Sequence, residues 1–587
     1  MNRFEWKLIR FVASAFVVVE LICWTDGAPA QQTSPTPPTP QLTFTDQGWS
    51  AADREAFYTT SQGSRMIPYD WFKALRRLDV DEAFGADQLQ RYGYLPNASS
   101  SKNLPVGFVI DERPSPPQLG MTCAACHTGQ LEYQKDGSIH QLRLDGAPAN
   151  ADFQLFMTDL LAAARATSRD AARFDTFAKT VLGAKFSAAK AATLKTGFDA
   201  WVAQFGEFMD KSLPPSPWGP GRLDAFNMIF NRVAVRGLGL PQNFAIADAP
   251  VSYPFLWNAS KQDHTQWNGI VENGLYIHAL ARNTGEVFGV FGEFSPKRIP
   301  AIPPLVPIIL YDHNSADFAG LQSLEQKIVA LKPPPWPRDV FPIDDALAAR
   351  GKPLFETNCG GCHGEHDSKI VLDAWTTPVQ AVGTDAKVAD NAANRSVDSG
   401  KLEGSLMPRP IGARLKNPAK AAEVLANSVV GSLLAAALKN QSGIRDAIAL
   451  DLAKAGKSSA SPIEKASFVQ ENLNELFRVP PDAPKGAYEA RVLHGIWATA
   501  PYLHNGSVPN LWELLTPPGQ RKSSFMVGSR LFDPKNVGYA TDQSPFKNGN
   551  FVTDPANANG NGNGGHTAGT NLSENDRRAI IEYLKTL

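Results

Sequence analysis

Cysteine is scarce in this chain, with five in 587 residues, and four of the five fall in two pentads. These are Cys123-Ala124-Ala125-Cys126-His127 and Cys359-Gly360-Gly361-Cys362-His363. The fifth, Cys23, lies in a segment expected to be removed, so the mature chain has no thiol left for a disulfide framework. Net charge is also lacking: 57 Lys and Arg stand against 58 Asp and Glu, which leaves no basic footprint for a nucleic-acid partner. After residue 30 no apolar run reads as a membrane span. What is present is an ordinary globular composition, in a chain long enough to bury two or three cores.

Each pentad places two thiols about one helical turn apart, with a histidine directly after. That is the spacing for thioether attachment of a c-type haem and for an axial imidazole. A zinc half-site or a redox dithiol is the competing reading of Cys-x-x-Cys. Histidine follows the second Cys both times, and the only other cysteine is Cys23. The sequence therefore reads as two covalently bound haem c groups, on Cys123, Cys126 and His127 and on Cys359, Cys362 and His363.

The first residues point to export. Arg3, Lys7 and Arg10 precede an apolar run from Phe11 to Trp24, and Ala28-Pro29-Ala30 supplies a small-x-small cleavage pattern. The expectation is a signal peptide over 1–30, cleaved after Ala30, and a periplasmic or secreted protein. Glu20 and the shortness of the run argue against an uncleaved anchor, and bulky Ile22 against a lipid on Cys23.

The fold expected is mainly α, with two c-type cytochrome-like haem domains, long irregular loops and few short strands. Residues 31–41 form a Pro/Thr-rich linker, 42–335 an N-terminal haem domain and 336–587 a C-terminal cytochrome c domain. The stiff run Pro333-Pro334-Pro335-Trp336-Pro337 marks the boundary, and an Ala/Leu-rich helical insertion occupies about 418–455. In the first domain a loop broken by Pro114, Pro116 and Pro117 delivers the pentad, and Asn150 reads as a helix N-cap ahead of Phe153, Phe156, Met157, Leu160 and Leu161. Arg222 reads equally as a haem-propionate partner and as a surface ion pair. The aromatic-dense stretch 250–294 supplies core or pocket packing, with one indole expected between the two haems. In the second domain a helix opened by Asp344 and Asp345 runs into Cys359, and Ser573 with Asp576 caps the last helix.

Eight histidines remain beyond the two proximal ones. His566 stands out because it follows the glycine-rich loop Asn557 to Gly565, and Met526 competes with it as sixth ligand of the second haem. Neither His140, His264 nor His278 sits in a suggestive frame for the first haem, so an open or water-bound iron is expected there.

With the pentads, the approach helix and Ala500-Pro501-Tyr502-Leu503-His504-Asn505-Gly506-Ser507 in hand, the chain resembles the bacterial di-haem cytochrome c peroxidase superfamily. Within it the likeness is greatest to the branch of rubber oxygenase and the haem fatty-acid dioxygenases. The similarity covers about 100 to 300 and 340 to 587. It rests on Thr122 to Gln130, Arg143 to Ala149, Val382 to Asp385, Trp497 to Ser507, and Gly565-His566 with Gly569-Thr570 and Leu572-Ser573. The resemblance implies a six-coordinate relay haem with His363 proximal and His566 distal, His504 as a hydrogen-bonding neighbour, and oxidant binding at the His127 haem. Relatives often hold calcium between domains, but no acidic pattern here places one.

Three functions follow as expectations. The first is dioxygen activation at the His127 haem for oxidation of an unsaturated apolar substrate. The second is hydrogen peroxide reduction with electrons from a small redox protein. The third is electron carriage with both irons closed.

Overall fold

Residues on either side of the first pentad fold into two small sheets, and these hold it. The computed structural model describes residues 40–299, 308–369, 373–407, 413–475 and 485–587. The expected signal peptide and nearly all of the linker lie outside the described residues. Pro114, Pro116 and Pro117 occupy the turn between the antiparallel strands Phe108–Asp111 and Gln118–Met121. The second of these strands, rather than a Pro-broken loop, leads into Cys123. The Thr122 N–H donates to the Gly107 carbonyl at 2.8 Å. Gly107 has φ +78°, and a Cβ there would stand 2.0 Å from the Ala125 nitrogen, so only glycine lets the pentad lie against this turn.

Beyond His127 the strands Thr128–Lys135 and Ser138–Asp145 form a hairpin. It turns on Asp136-Gly137, both at positive φ, the geometry that suits a two-residue hairpin turn. Its register sets Thr128 opposite Asp145. The N–H groups of Gly146 and Ala149 then donate to the His127 and Cys126 carbonyls at 3.0 Å. Ala124 and Ala125 are 1% and 3% exposed as a result.

Asp152, not Asn150, caps the helix Phe153–Arg169, its Oδ1 accepting from the Leu155 N–H at 2.9 Å. Asn150 is engaged elsewhere, donating from Nδ2 to the Ser529 carbonyl. The apolar face read from the sequence is buried, with Phe156, Met157 and Leu160 at 0% exposure, against the helices Ala171–Leu182 and Ala188–Ser212.

The second pentad is reached differently. Asp344 caps the helix Asp345–Asn358 through the Leu347 N–H at 2.9 Å, and the short helix Gly360–His363 follows. The first of these packs on the C-terminal helix Glu574–Leu584, which Ser573 caps. Contact is backbone to backbone, since a Cβ on Gly351 would lie 1.9 Å from the Ala579 carbonyl oxygen. Gly361, by contrast, is exposed and faces open space.

The stretch read as a helical insertion contains the helices Ala421–Leu438 and Ser442–Lys454, followed by Pro462–Glu475. Ala421–Leu438 is long and apolar enough to cross a membrane by length and composition, which corrects the expectation that nothing after residue 30 resembles a span. Val424, Val429 and Leu433 bury that surface in one apolar cluster with Leu280 and Leu321.

Gln41–Leu587 forms one compact unit. A single cluster joins Trp49, Leu131 and Trp257 to Trp336, Phe355, Trp497 and Leu584. The Pro-rich run read as a boundary between two haem domains lies inside that cluster through Trp336, which is 7% exposed. Strand segments are more numerous than expected, twenty among the described residues, but all except the two hairpin strands are two to four residues long.

Candidate functional site

Each pentad ends in a histidine whose Nδ1 meets a backbone carbonyl. His127 Nδ1 lies 2.8 Å from the Pro254 oxygen, and His363 Nδ1 lies 2.7 Å from the Arg491 oxygen. A carbonyl only accepts, so Nδ1 carries the proton and Nε2 the lone pair in both rings. Burial pushes His127 down to about 4 and also lowers His363, which keeps both imidazoles neutral at physiological pH. These are ligand-competent histidines with their tautomers fixed.

The thiols fit attachment better than exchange chemistry. Burial pushes Cys123 and Cys126 up to about 12 and Cys359 up to about 11, far from the thiolate that a redox dithiol needs. Among the described residues no three His, Cys, Asp or Glu side chains converge as metal ligands. Among the described residues neither Cys pair gains the further ligands of a four-ligand zinc site.

His363 opens onto a cavity of about 790 Å³ whose far wall carries His566. The two ring centroids are 6.2 Å apart. Two metal–imidazole bonds of about 2.0–2.1 Å, each extended by about half an imidazole ring, span the same distance. The His566 Nδ1 is buried without a partner, and burial, the His363 ring and Arg521 push its pKa down to about 4. These residues fit a haem iron, which His363 and His566 would hold between them. Met526 ends the strand Ser524–Met526 and does not line this cavity.

The loop that presents His566 is rich in glycine but firmly held. Arg521 donates to the carbonyls of Asn563 (2.6 Å), Gly565 (3.1 Å) and His566 (3.1 Å). Asp385 Oδ2 accepts from the Gly560 and Gly562 N–H groups. Arg222 donates to the Gly560 carbonyl and to Asn561 Oδ1. Arg222 is 2% exposed and lines neither cavity, so it is a loop anchor, neither propionate partner nor surface ion pair. His504 also faces the second cavity, stacked on Tyr488 with centroids 3.7 Å apart.

The cavity at His127 is smaller, about 160 Å³, and among the described residues no second imidazole lines it. Its polar wall comes from the helix Tyr276–Gly289, which contributes Arg282 and Glu286. Glu286 accepts from Gln266 Nε2 at 2.8 Å, and burial holds its carboxyl above the usual range. Arg282 pairs with Glu325 at 2.9 Å. Unpartnered buried atoms include the Tyr253 hydroxyl, Thr122 Oγ1 and Thr265 Oγ1, polar groups that a bound group in this cavity would satisfy.

Six residues line both cavities: Ser252, Tyr253, Phe255, Trp267, Glu489 and Arg491. The indole expected between the sites is thus Trp267, its Nε1 donating to the Ser252 carbonyl at 2.8 Å. Glu489, Arg491, Gln266 and Glu286 were not legible as site residues. Lone polar or charged residues in mixed sequence carry no spacing signal, and only the fold shows that they point inward. Three of the remaining histidines have partners elsewhere: His264 pairs with Asp263, His494 with Glu365, and His140 stacks on Tyr133.

A family model described as RoxA-like, cytochrome c-like matches residues 487–526, the segment that carries Tyr488, Glu489, Arg491 and His504. Such a segment implies covalently held haem c. Over 612 aligned positions the chain is 30% identical to "Uncharacterized protein y4iJ" of Sinorhizobium fredii, covering 94% of each chain. It is 25% identical over 332 positions to "Uncharacterized protein y4iM" of the same organism, covering 57% of this chain and 59% of that one.

Proposed function

We propose, starting from the fact that the chain belongs to the family of the Sinorhizobium fredii protein y4iJ and carries a RoxA-like, cytochrome c-like segment, that it is an exported oxidoreductase with two haem c groups. The observation that carries this reading is the asymmetry of two otherwise matched sites. Each pentad histidine is fixed by a carbonyl, yet among the described residues only the His363 cavity offers a second imidazole. Cys123, Cys126 and His127 would hold one haem; Cys359, Cys362, His363 and His566 would hold the other. Bound haem supplies one-electron redox chemistry and, where the protein leaves the sixth position free, a binding place for dioxygen or peroxide.

The chain's own residues do the rest. His363 and His566 close the second site, which suits it to electron relay. Phe226, Val251 and Phe255 give the first cavity an apolar wall, suited to an unsaturated hydrocarbon or fatty acid oxidised with dioxygen. Trp267 and Phe255 fill the wall between the sites and exclude water from it.

One observation favours the second reading, hydrogen peroxide reduction. Glu286, with its carboxyl kept protonated to higher pH by burial and oriented by Gln266, can hold a proton at its carboxyl oxygen and release it inside the cavity. Carbon monoxide binding to the reduced protein tests for an open iron, and binding to neither haem would favour the electron carrier and sink both enzymatic readings. Oxygen uptake with oleate or polyisoprene, compared with peroxide consumption driven by a reduced cytochrome, then separates the two. Rapid peroxide turnover that Glu286→Gln lowers about 10²-fold or more, with no lipid or rubber oxidised, would decide for the peroxidase.

A further inference from the structure

The wall shared by the two cavities contains one basic residue, Arg491, and it touches the supports of both proximal histidines. Its carbonyl oxygen accepts from His363 Nδ1 at 2.7 Å. Its guanidinium Nη1 donates to the Phe255 carbonyl at 2.9 Å, and the neighbouring carbonyl, that of Pro254, accepts from His127 Nδ1 at 2.8 Å. Two further contacts hold the guanidinium in place: Nε donates to Gln262 Oε1 at 2.9 Å, and the planar group lies 4.0 Å over the Phe255 ring.

Packing stability alone does not account for this residue. Arg491 is 6% exposed, and the Glu489 carboxylate approaches its Nε only to 3.9 Å, with Glu489 Oε1 left buried and unpartnered. A buried cation without a close counter-ion is costly to keep. The same wall could be filled by an apolar side chain at lower cost, as far as folding is concerned. What an apolar residue could not do is hold the 254–255 segment by its carbonyl and place positive charge against both cavities.

We propose that Arg491 is a positioning residue common to both haem sites: its backbone fixes the orientation and tautomer of His363, its side chain fixes the segment that sets those of His127, and its charge faces both cavities. This rests on the two-haem reading above. The first consequence is electrostatic. A fixed positive charge favours the ferrous state, which carries one positive charge fewer, so Arg491 raises both reduction potentials. The second is geometric. The paired bonds from Nη1 to the Phe255 carbonyl and from Nε to Gln262 Oε1 are not both kept when Lys replaces Arg, although the charge stays.

The test uses the full-length haem-loaded protein, with potentiometric titration followed in the visible spectrum and with ferric EPR spectra. Arg143→Lys serves as control, because Arg143 is 3% exposed and bonded to Gln130 and the Pro96 carbonyl but lines neither cavity. Arg491→Gln is expected to lower both midpoints. Arg491→Lys is expected to restore them in large part while altering the EPR signature of the His127 haem, and the control to change neither. A shift confined to one haem, or absent from both, overturns the proposal. If Arg491→Gln does not accumulate, the Lys variant decides alone: an altered signature at the His127 haem with both midpoints near those of the wild type supports the role, and an unaltered signature at that haem overturns it. A wild-type chain carrying fewer than two covalent haems would instead remove the premise, and mass spectrometry reads that separately.

Discussion

His566 shows how much of the site one side chain decides. It stands at φ +47°, a conformation that costs a non-glycine residue about 1–3 kcal/mol, and Arg521, Val382 and the Asp385-anchored glycines hold it there. His566→Ala is expected to turn the second haem high-spin while the covalent haem count stays at two. Met526→Ala should leave the spectrum unchanged, because Met526 lies outside the cavity; the reverse result in visible and EPR spectra would exchange their roles. Gly107→Ala should cost at least about 1–3 kcal/mol from its positive φ alone and more from the clash with Ala125, read as a lower denaturation midpoint. At this scale the sequence was most legible where the chemistry is local. The pentads are contiguous, so their spacing is visible, and His566 was marked by the glycines before it. Arg491 and Glu286 owe their roles to partners far away in the chain, and Arg222 was misread for the same reason.

The helix Tyr276–Gly289 carries Arg282 and Glu286 into the first cavity, yet its own N-cap, Leu275, offers no side-chain oxygen. The cap comes from another element. Asp451, on the helix Ser442–Lys454, accepts from the Tyr276 and Ile277 N–H groups at 2.8 and 2.9 Å. Burial pushes this carboxyl up to about 6 from 3.8. The sign follows from linkage: between about pH 4 and 6 the folded state retains a proton that the unfolded state has released, so this contribution is full below pH 4 and is lost as pH rises through 6. The loss amounts to about 3 kcal/mol at most. Asp451→Asn has no such step, and denaturant titrations of both proteins at pH 4 and pH 7 should show the wild type losing ground to the variant by up to that amount. Asp451→Ala leaves two N–H groups uncapped and should cost about 1–3 kcal/mol. Local pattern gave the helices at 153, 345 and 574 closely, because their caps are near in sequence. It missed the cap at 276 because the carboxylate that accepts there is 175 residues away in the chain.

Across the whole molecule the two pentads belong to one body. The Arg491 carbonyl completes the His363 site while its guanidinium braces the segment serving His127, and the cluster from Trp49 to Leu584 runs through both. A fragment comprising 42–335, expressed alone, is therefore expected to be insoluble or to lack haem. Recovery of a soluble, haem-loaded fragment would restore the two-domain picture drawn from the Pro-rich run. That run has the composition of a spacer, and composition does not reveal that Trp336 is packed between Trp497 and Phe532.

The contrast between Ala124-Ala125, shut beneath Gly107 and the 128–145 hairpin, and Gly361, open to solvent, sets an order for maturation. The enclosure of the first pentad is built from residues 58–149, so it closes as soon as that portion of a nascent chain has collapsed. On the proposed two-haem reading, thioether formation at Cys123 and Cys126 would come earlier, before that portion of the chain has closed. The second pentad keeps Gly361 open to solvent afterwards. Apoprotein folded first and then supplied with reduced haem should accordingly gain one haem by mass, at the second pentad, and never two.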